Sequence, residues 1–301
     1  MTILQGILLG ILQGVAEFLP ISSSGHLKVA QHLFNLEEVP LLFDIFLHIA
    51  TLTAVCLYFW PRIWKLLKIF FRWIFKKPRP ESEPEDYEDL LCGTEEAGRK
   101  TILAIIITTL ITGCIGIITS KFIPEMDVKI VCVGFIITAI MLIYSSYAEK
   151  KASAKLENKI KETNLSENTK TQTQISKPKG ISIKQAIFIG LMQGIGTLPG
   201  ISRSGSTISG ALLSKVNRKA AGDFSFIVSI PAILGAFILE LKDIGEVSLA
   251  VGFLPLFAGC VASFAVGYIS LVFLMKLIRK GKLQWFAIYL LPLAILGIIF
   301  L

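Results

Sequence analysis

The sequence predicts an all-α polytopic membrane protein made of two inverted-topology repeats, each a re-entrant helical hairpin followed by three transmembrane helices. Long apolar segments, an internal repeat and a one-sided distribution of basic residues predict this fold. Of the 301 residues, 53% are hydrophobic and 17% are charged, whereas soluble domains average about 25% charged residues. The apolar residues are gathered into segments that can cross a ~30 Å hydrocarbon layer, which argues against a soluble protein.

Six apolar segments are predicted to span the bilayer, although the first contains Asp44 and His48. These spans cover residues 41–60, 102–120, 130–147, 221–241, 249–275 and 284–301. Five cysteines are scattered without metal-ligand spacing, so we expect them to be small core side chains.

Two polar segments divide the chain. Residues 61–100 begin with a basic, aromatic and amphipathic stretch at 65–77, suited to the headgroup layer, and continue into an acidic segment that we expect to be flexible. Residues 149–180 are rich in Lys, Glu, Asn and Thr, and we expect this linker to be disordered in part. The predicted repeats are therefore 1–148 and 181–301.

An internal repeat supports this division. Residues 10–25 align without gaps onto residues 190–205, at a constant offset of 180. Chance similarity between apolar segments would match Ile and Leu, but it would not readily match Gln, Gly and paired Ser in register. The identical pairs are Gln13/Gln193, Gly14/Gly194, Ile21/Ile201, Ser22/Ser202, Ser24/Ser204 and Gly25/Gly205.

The segments around the two motifs are predicted to be re-entrant hairpins at about 3–34 and 184–214. Pro and Gly interrupt each hairpin, and the returning segment 207–213 is too short to cross the bilayer. A broken helix is tolerated in a membrane where other protein segments bury its backbone. An ordinary span followed by a loop is the alternative.

The basic residues predict the orientation. With the proposed topology, the connections 61–100, 149–184, 214–219 and 276–282 lie on one side and hold 9, 9, 3 and 4 of the 30 Lys and Arg residues. The positive-inside rule makes that side cytoplasmic. The net charge of +8 is explained by these loops, so nucleic acid is not an expected partner. The other side holds Lys28, Lys121, Lys129 and Lys242, and Arg203 lies within the second motif.

The first motif combines a carboxylate with a serine-rich turn. Gln13 and Glu17 are four residues apart and share a helix face. Pro20 ends that helix, and the next helix opens with bare N–H groups and a positive dipole end, which together favour an anion. His26, one turn in, is a candidate acid or base. The serines of this turn are Ser22, Ser23 and Ser24.

The second motif repeats the turn and adds a cation. A guanidinium such as Arg203 inside a membrane domain costs at least ~2.5–3.5 kcal/mol on insertion scales, and an anionic partner would offset that cost. Arg beside hydroxyl groups at a helix start is typical of a phosphate site. The hydroxyl residues here are Ser202, Ser204 and Thr207.

Structural interpretations of the same residues stay open. Small residues such as serine often only permit close helix packing, and a structural ion pair with Glu17 is the alternative interpretation of Arg203. His32 and His48 are expected to be structural. Asp44 and Asp223 are either site carboxylates or structural partners.

Together the motifs resemble a known family. The segments GVAEFLPISSSGHL (14–27), PGISRSGSTISG (199–210) and DFSFIVSIPAILGA (223–236) are similar to the bacitracin-resistance type of undecaprenyl-diphosphatase. The resemblance covers nearly the whole chain apart from the loops 78–98 and 150–179.

The resemblance implies a membrane hydrolase that removes the terminal phosphate from C55 polyprenyl diphosphate. This reaction recycles the lipid carrier for peptidoglycan and other envelope polymers, and it is associated with bacitracin resistance. The implied location is the cell membrane, with the site on the outer face. The residues that match the family's functional positions are Glu17, Ser23, His26, Ser202, Arg203, Ser204 and Thr207.

The expected mechanism places the diphosphate on Arg203, the serine hydroxyls and the helix N–H groups. Ser23 or a water attacks the terminal phosphorus, His26 takes the proton or is itself the nucleophile, and Glu17 orients His26 or binds a metal. The family often has a second Glu where this chain has Gln13, which casts doubt on a two-carboxylate metal site. One carboxylate still allows Mg²⁺ or Ca²⁺ through substrate oxygens and water.

A transporter or flippase for polyprenyl phosphate, or for another phosphorylated anion, is the alternative function. Inverted repeats with broken helices are the usual transporter plan, but a carrier needs no nucleophile. The expected partners are the lipid substrate and bilayer lipids, and a homodimer is an assembly that the sequence leaves open.

Overall fold

The computed structural model describes residues 1–36, 41–122, 127–166, 178–240 and 251–300. Eleven helices account for the regular structure of these ranges, so the all-α prediction is confirmed. Lys242, the linker residues 167–177 and the ends of the predicted spans at 241, 249–250 and 301 lie outside the described residues. The helices are α1 (Ile3–Phe18), α2 (Ser23–Leu33), α3 (Leu41–Tyr58), α4 (Trp60–Ile74), α5 (Glu95–Phe122), α6 (Val128–Ser166), α7 (Ile183–Ile195), α8 (Arg203–Leu213), α9 (Arg218–Glu240), α10 (Phe253–Arg279) and α11 (Trp285–Phe300).

The chain is a multi-pass membrane protein. Helices α5, α6, α9 and α10 are long and apolar enough to span a membrane. Helix α3 passes the same test only together with α4, and the two meet at a bend of 79°. Helix α11 has 16 residues and extends about 24 Å at 1.5 Å per residue, short of a full hydrocarbon layer. Four of the six predicted spans are therefore full-length by themselves.

The two hairpins begin and end in the same way. Helix α1 begins with a capping box between Thr2 and Gln5, and α7 begins with one between Ser182 and Gln185. The residues after α2 and α8, Asn35 and Lys215, are both left-handed, with φ of 54° and 65°. All three correspondences keep the offset of 180, so the repeat extends well beyond the segment in which it was recognised.

The hairpins exchange partners between the halves. Helix α1 packs against α10 of the second half, and α7 packs against α5 of the first half. The α1–α10 contact depends on glycine, because a Cβ at Gly6 would lie 2.4 Å from the Pro255 carbonyl oxygen and one at Gly10 would lie 2.1 Å from that of Gly259. Small residues four apart allow such close approach of membrane helices. Helices α3 and α9 also pack together, as do α6 and α11.

The loop after α4 differs from the expected flexible segment. Arg72 of α4 donates to Glu83 at 2.6 Å and to Glu95 at 3.1 Å, and the Arg62 Nε lies 3.3 Å from Asp89 Oδ2. Burial disfavours the charged form of Asp89. The positive charge of Arg62 and the hydrogen bonds from the Cys92 thiol and backbone N–H groups favour the charged form more strongly than burial disfavours it. The pKa of Asp89 therefore lies below its usual value. Ion pairs to α4 therefore order this loop.

The linker also begins differently from its prediction. Helix α6 continues through the polar stretch to Ser166, so the expected disorder does not begin at residue 149. A sequence that is polar on all sides can still be helical where solvent surrounds it.

Candidate active site

The two hairpin tips meet inside the protein. A Cβ at Gly25 would lie 3.1 Å from the Gly200 Cα, and a Cβ at Gly205 would lie 3.2 Å from the Pro20 side chain. Gly200 has φ of +85°, and a Cβ there would lie 2.0 Å from a backbone oxygen of α6, so the turn requires glycine. As a result, the amino-terminal ends of α2 and α8 lie side by side.

The serine caps of the two tips are equivalent. The Ser22 hydroxyl accepts from the Gly25 N–H at 3.4 Å, and the Ser202 hydroxyl accepts from the Gly205 N–H at 3.1 Å. Ser24 Oγ lies 3.5 Å from Ser22 Oγ, and Ser204 Oγ lies 3.2 Å from Ser202 Oγ. Each helix start therefore presents hydroxyl groups beside its N–H groups, as an anion site requires.

Glu17 is the centre of the site. It is buried at the end of α1, with 6% of its surface exposed. Its Oε1 accepts from Arg203, and its Oε2 accepts from the Gln13 amide at 3.0 Å and from the Ser23 hydroxyl at 2.7 Å. His48 Nε2 approaches the same oxygen at 3.3 Å. Donors from three helices and a histidine from a fourth therefore converge on one carboxylate.

Arg203 is only partly satisfied by this arrangement. One terminal nitrogen pairs with Glu17, whereas the buried Nη1 has no hydrogen-bond partner within the described residues. The structural ion pair that the sequence left open is therefore formed, but it uses only part of the guanidinium. An unpartnered buried donor beside two helix amino-terminal ends favours an additional anion.

Thr207 borders the same space as Glu17 and Ser204, but its hydroxyl is already bonded to other protein groups. It is 1% exposed. Its hydroxyl lies 2.7 Å from the Arg203 carbonyl oxygen and 3.2 Å from Gln193 Oε1. Gln193 in turn donates to Thr112 at 3.0 Å. This network connects α8 to α7 and α5, and it supports the backbone of Arg203.

His26 is not bonded to Ser23, which corrects the expected serine–histidine pairing. Its Nδ1 lies 2.8 Å from the Ser22 carbonyl oxygen, and its Nε2 lies 2.9 Å from the Tyr289 hydroxyl. Phe135 and Tyr289 pack on its ring at centroid distances of 4.9 and 5.7 Å. The reason is directional: Ser23 faces Glu17, whereas His26, three residues later, faces α6 and α11.

A cleft opens beside Glu17, between α3 and α9. Its floor is polar, with Glu17, Arg203 and Ser204, while most of its walls are apolar. The hydroxyl groups of Thr51, Ser225 and Ser229 also line it, but they bond carbonyl oxygens of their own helices. The apolar walls are Phe18, Leu52, Val55, Phe226 and Ile233. Such a cleft suits a ligand with an anionic end and an apolar end.

The two aspartates left open by the sequence have separate partners. Asp44 Oδ1 accepts from the Gln31 amide at 2.8 Å. Asp223 Oδ2 lies 2.7 Å from Arg62 Nη1, at the junction of α9 with α4. Asp223 is therefore a structural ion-pair residue away from the cleft.

The donor set around Glu17 does not fit a metal ion held by the protein. Within the described ranges, no three His, Cys, Asp or Glu residues are placed to share an ion. Both Glu17 oxygens accept hydrogen bonds, one of them from the cationic Arg203. A divalent cation prefers oxygen ligands without competing cations. Mg²⁺ or Ca²⁺ bound through substrate oxygens stays a prediction, and no step below uses one.

Sequence reasoning missed two residues of this site. His48 contacts Glu17 from α3, and Tyr289 contacts His26 from α11. An ionisable residue inside an apolar span is a functional candidate by itself, which was the available signal for His48. No local pattern marks Tyr289, because its contact joins residues 263 positions apart.

Sequence comparison with known proteins shows the family of this chain. The sequence profile of the family described as Bacitracin resistance protein BacA matches residues 6–296. A protein of Treponema denticola named undecaprenyl-diphosphatase is 44% identical over 295 residues, covering 98% of this chain and 96% of its own length. Proteins of the same name from Borreliella burgdorferi (strain ZS7) and Carboxydothermus hydrogenoformans are 36% and 37% identical, covering 98% and 95% of this chain and 96% and 92% of their own lengths. The chain therefore belongs to the BacA family of bacitracin resistance proteins.

Proposed function

We propose that this protein hydrolyses undecaprenyl diphosphate to undecaprenyl phosphate and inorganic phosphate. This reaction recycles the lipid carrier for peptidoglycan and envelope polymers, and it explains bacitracin resistance. One observation carries the proposal: the Ser23 hydroxyl donates to the Glu17 carboxylate at 2.7 Å, beside an arginine with an unpartnered nitrogen. A nucleophile bonded to a base next to an anion site is equipment for phosphoryl transfer.

Substrate binding begins at Arg203. Its free Nη1 and the amino-terminal ends of α2 and α8 hold the terminal phosphate, with Ser22, Ser24, Ser202 and Ser204 supplying hydroxyl groups. The cleft has a volume of only about 10 Å³ in this structure, so α3 and α9 must part for its apolar walls to admit the first isoprene units, and the tail then leaves between these helices into the bilayer. Binding energy thus comes from both ends of an amphipathic substrate.

Ser23 is the attacking group in this mechanism. Its oxygen forms a bond to the terminal phosphorus, the bond from that phosphorus to the bridging oxygen breaks, and the hydroxyl proton passes to Glu17. Glu17 becomes a stronger base at that moment, because Arg203 transfers its donors from the carboxylate to the phosphate. Glu17 returns the proton to the departing undecaprenyl phosphate.

Hydrolysis of the phosphoserine completes the cycle. Water attacks the phosphorus, Glu17 takes its proton, and the same proton returns to the Ser23 oxygen as inorganic phosphate leaves. His26 orients the turn through its bond to the Ser22 carbonyl oxygen and is not the proton acceptor in this scheme.

Phosphate release is the decisive measurement. The purified protein in detergent micelles should release inorganic phosphate from undecaprenyl diphosphate, and Glu17→Gln should abolish this release. Detergent removes the two compartments that a transporter needs, so release under these conditions separates a hydrolase from a carrier. If the protein bound the lipid without releasing phosphate, the proposal would fail and the transporter alternative would gain.

The site is proposed to open toward the outer face of the cell membrane. His48 lies two turns into α3, at the end away from the basic segment 61–100, which the charge count makes cytoplasmic. The inverted arrangement is supported by the exchange of hairpin partners between halves. Dimerisation stays a prediction from the sequence.

Added cysteines can test this orientation. Cys92 is buried and bonded to Asp89, so it is a poor reporter. Ser82→Cys and Lys129→Cys would add thiols at exposed positions of opposite predicted sides. In intact cells an impermeant maleimide should label position 129 and not 82, relative to the unsubstituted chain. The reverse pattern would overturn the outer location.

A further inference from the structure

His48 occupies a place that the mechanism above does not use. It lies on α3, with 23% of its side chain exposed. Its Nδ1 is 2.7 Å from the backbone oxygen of Asp44, one turn earlier in the same helix, and its Nε2 is 3.3 Å from Glu17 Oε2. The ring is therefore held at one nitrogen and directed at the catalytic carboxylate with the other.

Hydrogen-bond chemistry defines what His48 contributes. A backbone carbonyl oxygen only accepts, so Nδ1 carries a hydrogen. The Nε2 approach to Glu17 Oε2, at 3.3 Å, is a close polar contact without hydrogen-bond geometry. The ring is fixed at Nδ1, so rotating His48 would break that bond and also remove Nε2 from Glu17.

The donors to Glu17 show why this contact matters. Ser23 and His48 share Oε2, whereas Arg203 occupies Oε1. When Arg203 turns toward a phosphate, Oε1 loses its donor, and the carboxylate keeps Gln13, Ser23 and His48, all on Oε2. Once Ser23 attacks phosphorus, Gln13 and His48 remain, and a carboxylate held by one amide alone would be free to rotate about its terminal bond.

The charged groups around His48 are few. Helix α1 supplies Glu17, and α8 supplies Arg203 through Glu17. Asp44 of its own helix bonds Gln31 of α2 through its side chain. From α10, the Ser263 hydroxyl bonds the Leu47 carbonyl oxygen beside it. Among the described residues, two acidic side chains act on His48: Glu17, in contact with Nε2, and Asp44 of its own helix, which interacts with it electrostatically.

We propose that His48 is a positioning residue for the hydrolysis: its ring, anchored at Nδ1, packs its Nε2 edge against the Glu17 carboxylate and keeps Oε2 facing Ser23 while Arg203 binds substrate. This inference rests on the proposed function. It assigns a role in turnover rather than in binding, because His48 contacts the base and not the phosphate site.

The kinetic test compares His48→Leu with His48→Gln. The leucine has no donor, whereas the glutamine can place an N–H near the position of Nε2. We expect His48→Leu to lower kcat about tenfold or more, with KM within about threefold, and His48→Gln to return kcat to within about threefold of the parent. The matched control is His32→Gln, at an exposed position of α2, which should leave kcat unchanged.

Two kinetic outcomes would overturn the proposal. One is a His48→Leu variant with the kcat of the parent. The other is a folded His48→Gln variant that is as impaired as His48→Leu, since a polar edge at that position would then not be what the site requires.

A spectroscopic test does not depend on activity. The chain has three histidines, so ¹⁵N-histidine spectra in detergent can be assigned from His48→Gln and His32→Gln. The His48 Nε2 signal should shift in Glu17→Gln, whereas the His32 signal should not. An unshifted His48 signal contradicts the contact. If the wild-type protein released no phosphate, the hydrolase proposal would fail while these spectra still decided the contact.

Discussion

The two hairpins share a backbone plan and divide the chemistry between them. Residue 17 is glutamate in the first hairpin, and its counterpart Thr197 bonds a backbone oxygen of α7. At the helix start, Ser23 of the first hairpin corresponds to Arg203 of the second. In the proposed mechanism the first hairpin therefore supplies the base and nucleophile, and the second supplies the cation that binds phosphate.

The paired glutamines make the same comparison. Gln13 donates to Glu17 and leaves its own buried Oε1 without a partner in the part of the chain that the structure describes. Gln193 is satisfied on both sides, by Thr112 and Thr207. Buried polar groups are normally hydrogen-bonded, so the free Gln13 oxygen beside Glu17 leaves room for a further donor such as water. The asymmetry therefore separates a reactive hairpin from a supporting hairpin.

The largest expected loss of phosphate release comes from position 17, where the two hairpins carry glutamate and threonine. Glu17→Gln should lower phosphate release about 10³-fold, because the amide neither takes the Ser23 proton nor pairs fully with Arg203. Its matched control is Thr197→Val in the other hairpin, which should stay within about threefold. Rates and thermal stability in detergent should be measured for both variants. Equal losses would mean that position 17 acts through folding.

Arg203→Lys should come next, with a loss of about 100-fold. A lysine ammonium can pair with Glu17, but it lacks the planar fork that also holds a phosphate. Measuring kcat and KM separately checks this, since the loss should include weaker substrate binding. The control is Arg62→Lys, in the ion pair with Asp223 away from the cleft. A nearly active Arg203→Lys would show that only charge matters.

The helices and hairpins could be predicted from the sequence more fully than the side-chain contacts of the site. The 180-residue offset predicted both hairpins because glycine, serine and glutamine must recur where caps and close approaches recur. The ion pair of Glu17 with Arg203 was one of two alternatives that the sequence could not separate. His48 and Tyr289 were missed because helix packing brings them to the site from α3 and α11. The extension of α6 was missed because a polar helix and a polar linker have similar composition.

The third prediction concerns Ser23 and His26. Since no bond joins them and they face different helices, the losses of Ser23→Ala and His26→Ala should multiply in the double variant, with His26→Ala alone costing about tenfold. Ser23→Ala combined with Glu17→Gln should instead cost little more than Glu17→Gln alone. Phosphate-release rates for the single and double variants measure both couplings. Non-additive losses for Ser23 and His26 would restore the histidine as the base.

The smallest effect on turnover is expected in the supporting hairpin, at Thr207. If this hydroxyl touched substrate, as its sequence motif suggests, Thr207→Val would raise KM about tenfold. The structure instead shows the hydroxyl bonded to Gln193 and to the Arg203 carbonyl oxygen, in a residue that is 1% exposed. Valine keeps the shape but leaves the Gln193 Oε1 without its donor, which should cost about 1–3 kcal/mol of stability.

Thr207→Val should therefore show a lower melting temperature in detergent, with kcat and KM within about threefold of the parent. Thr112→Val provides the matched comparison, because it removes the partner of Gln193 Nε2 on α5. The two variants should destabilise by similar amounts, and the double variant should lose less than their sum because both act on one amide. A tenfold rise in KM for Thr207→Val with unchanged stability would move Thr207 into the phosphate site and make the second hairpin a direct ligand at two positions of α8.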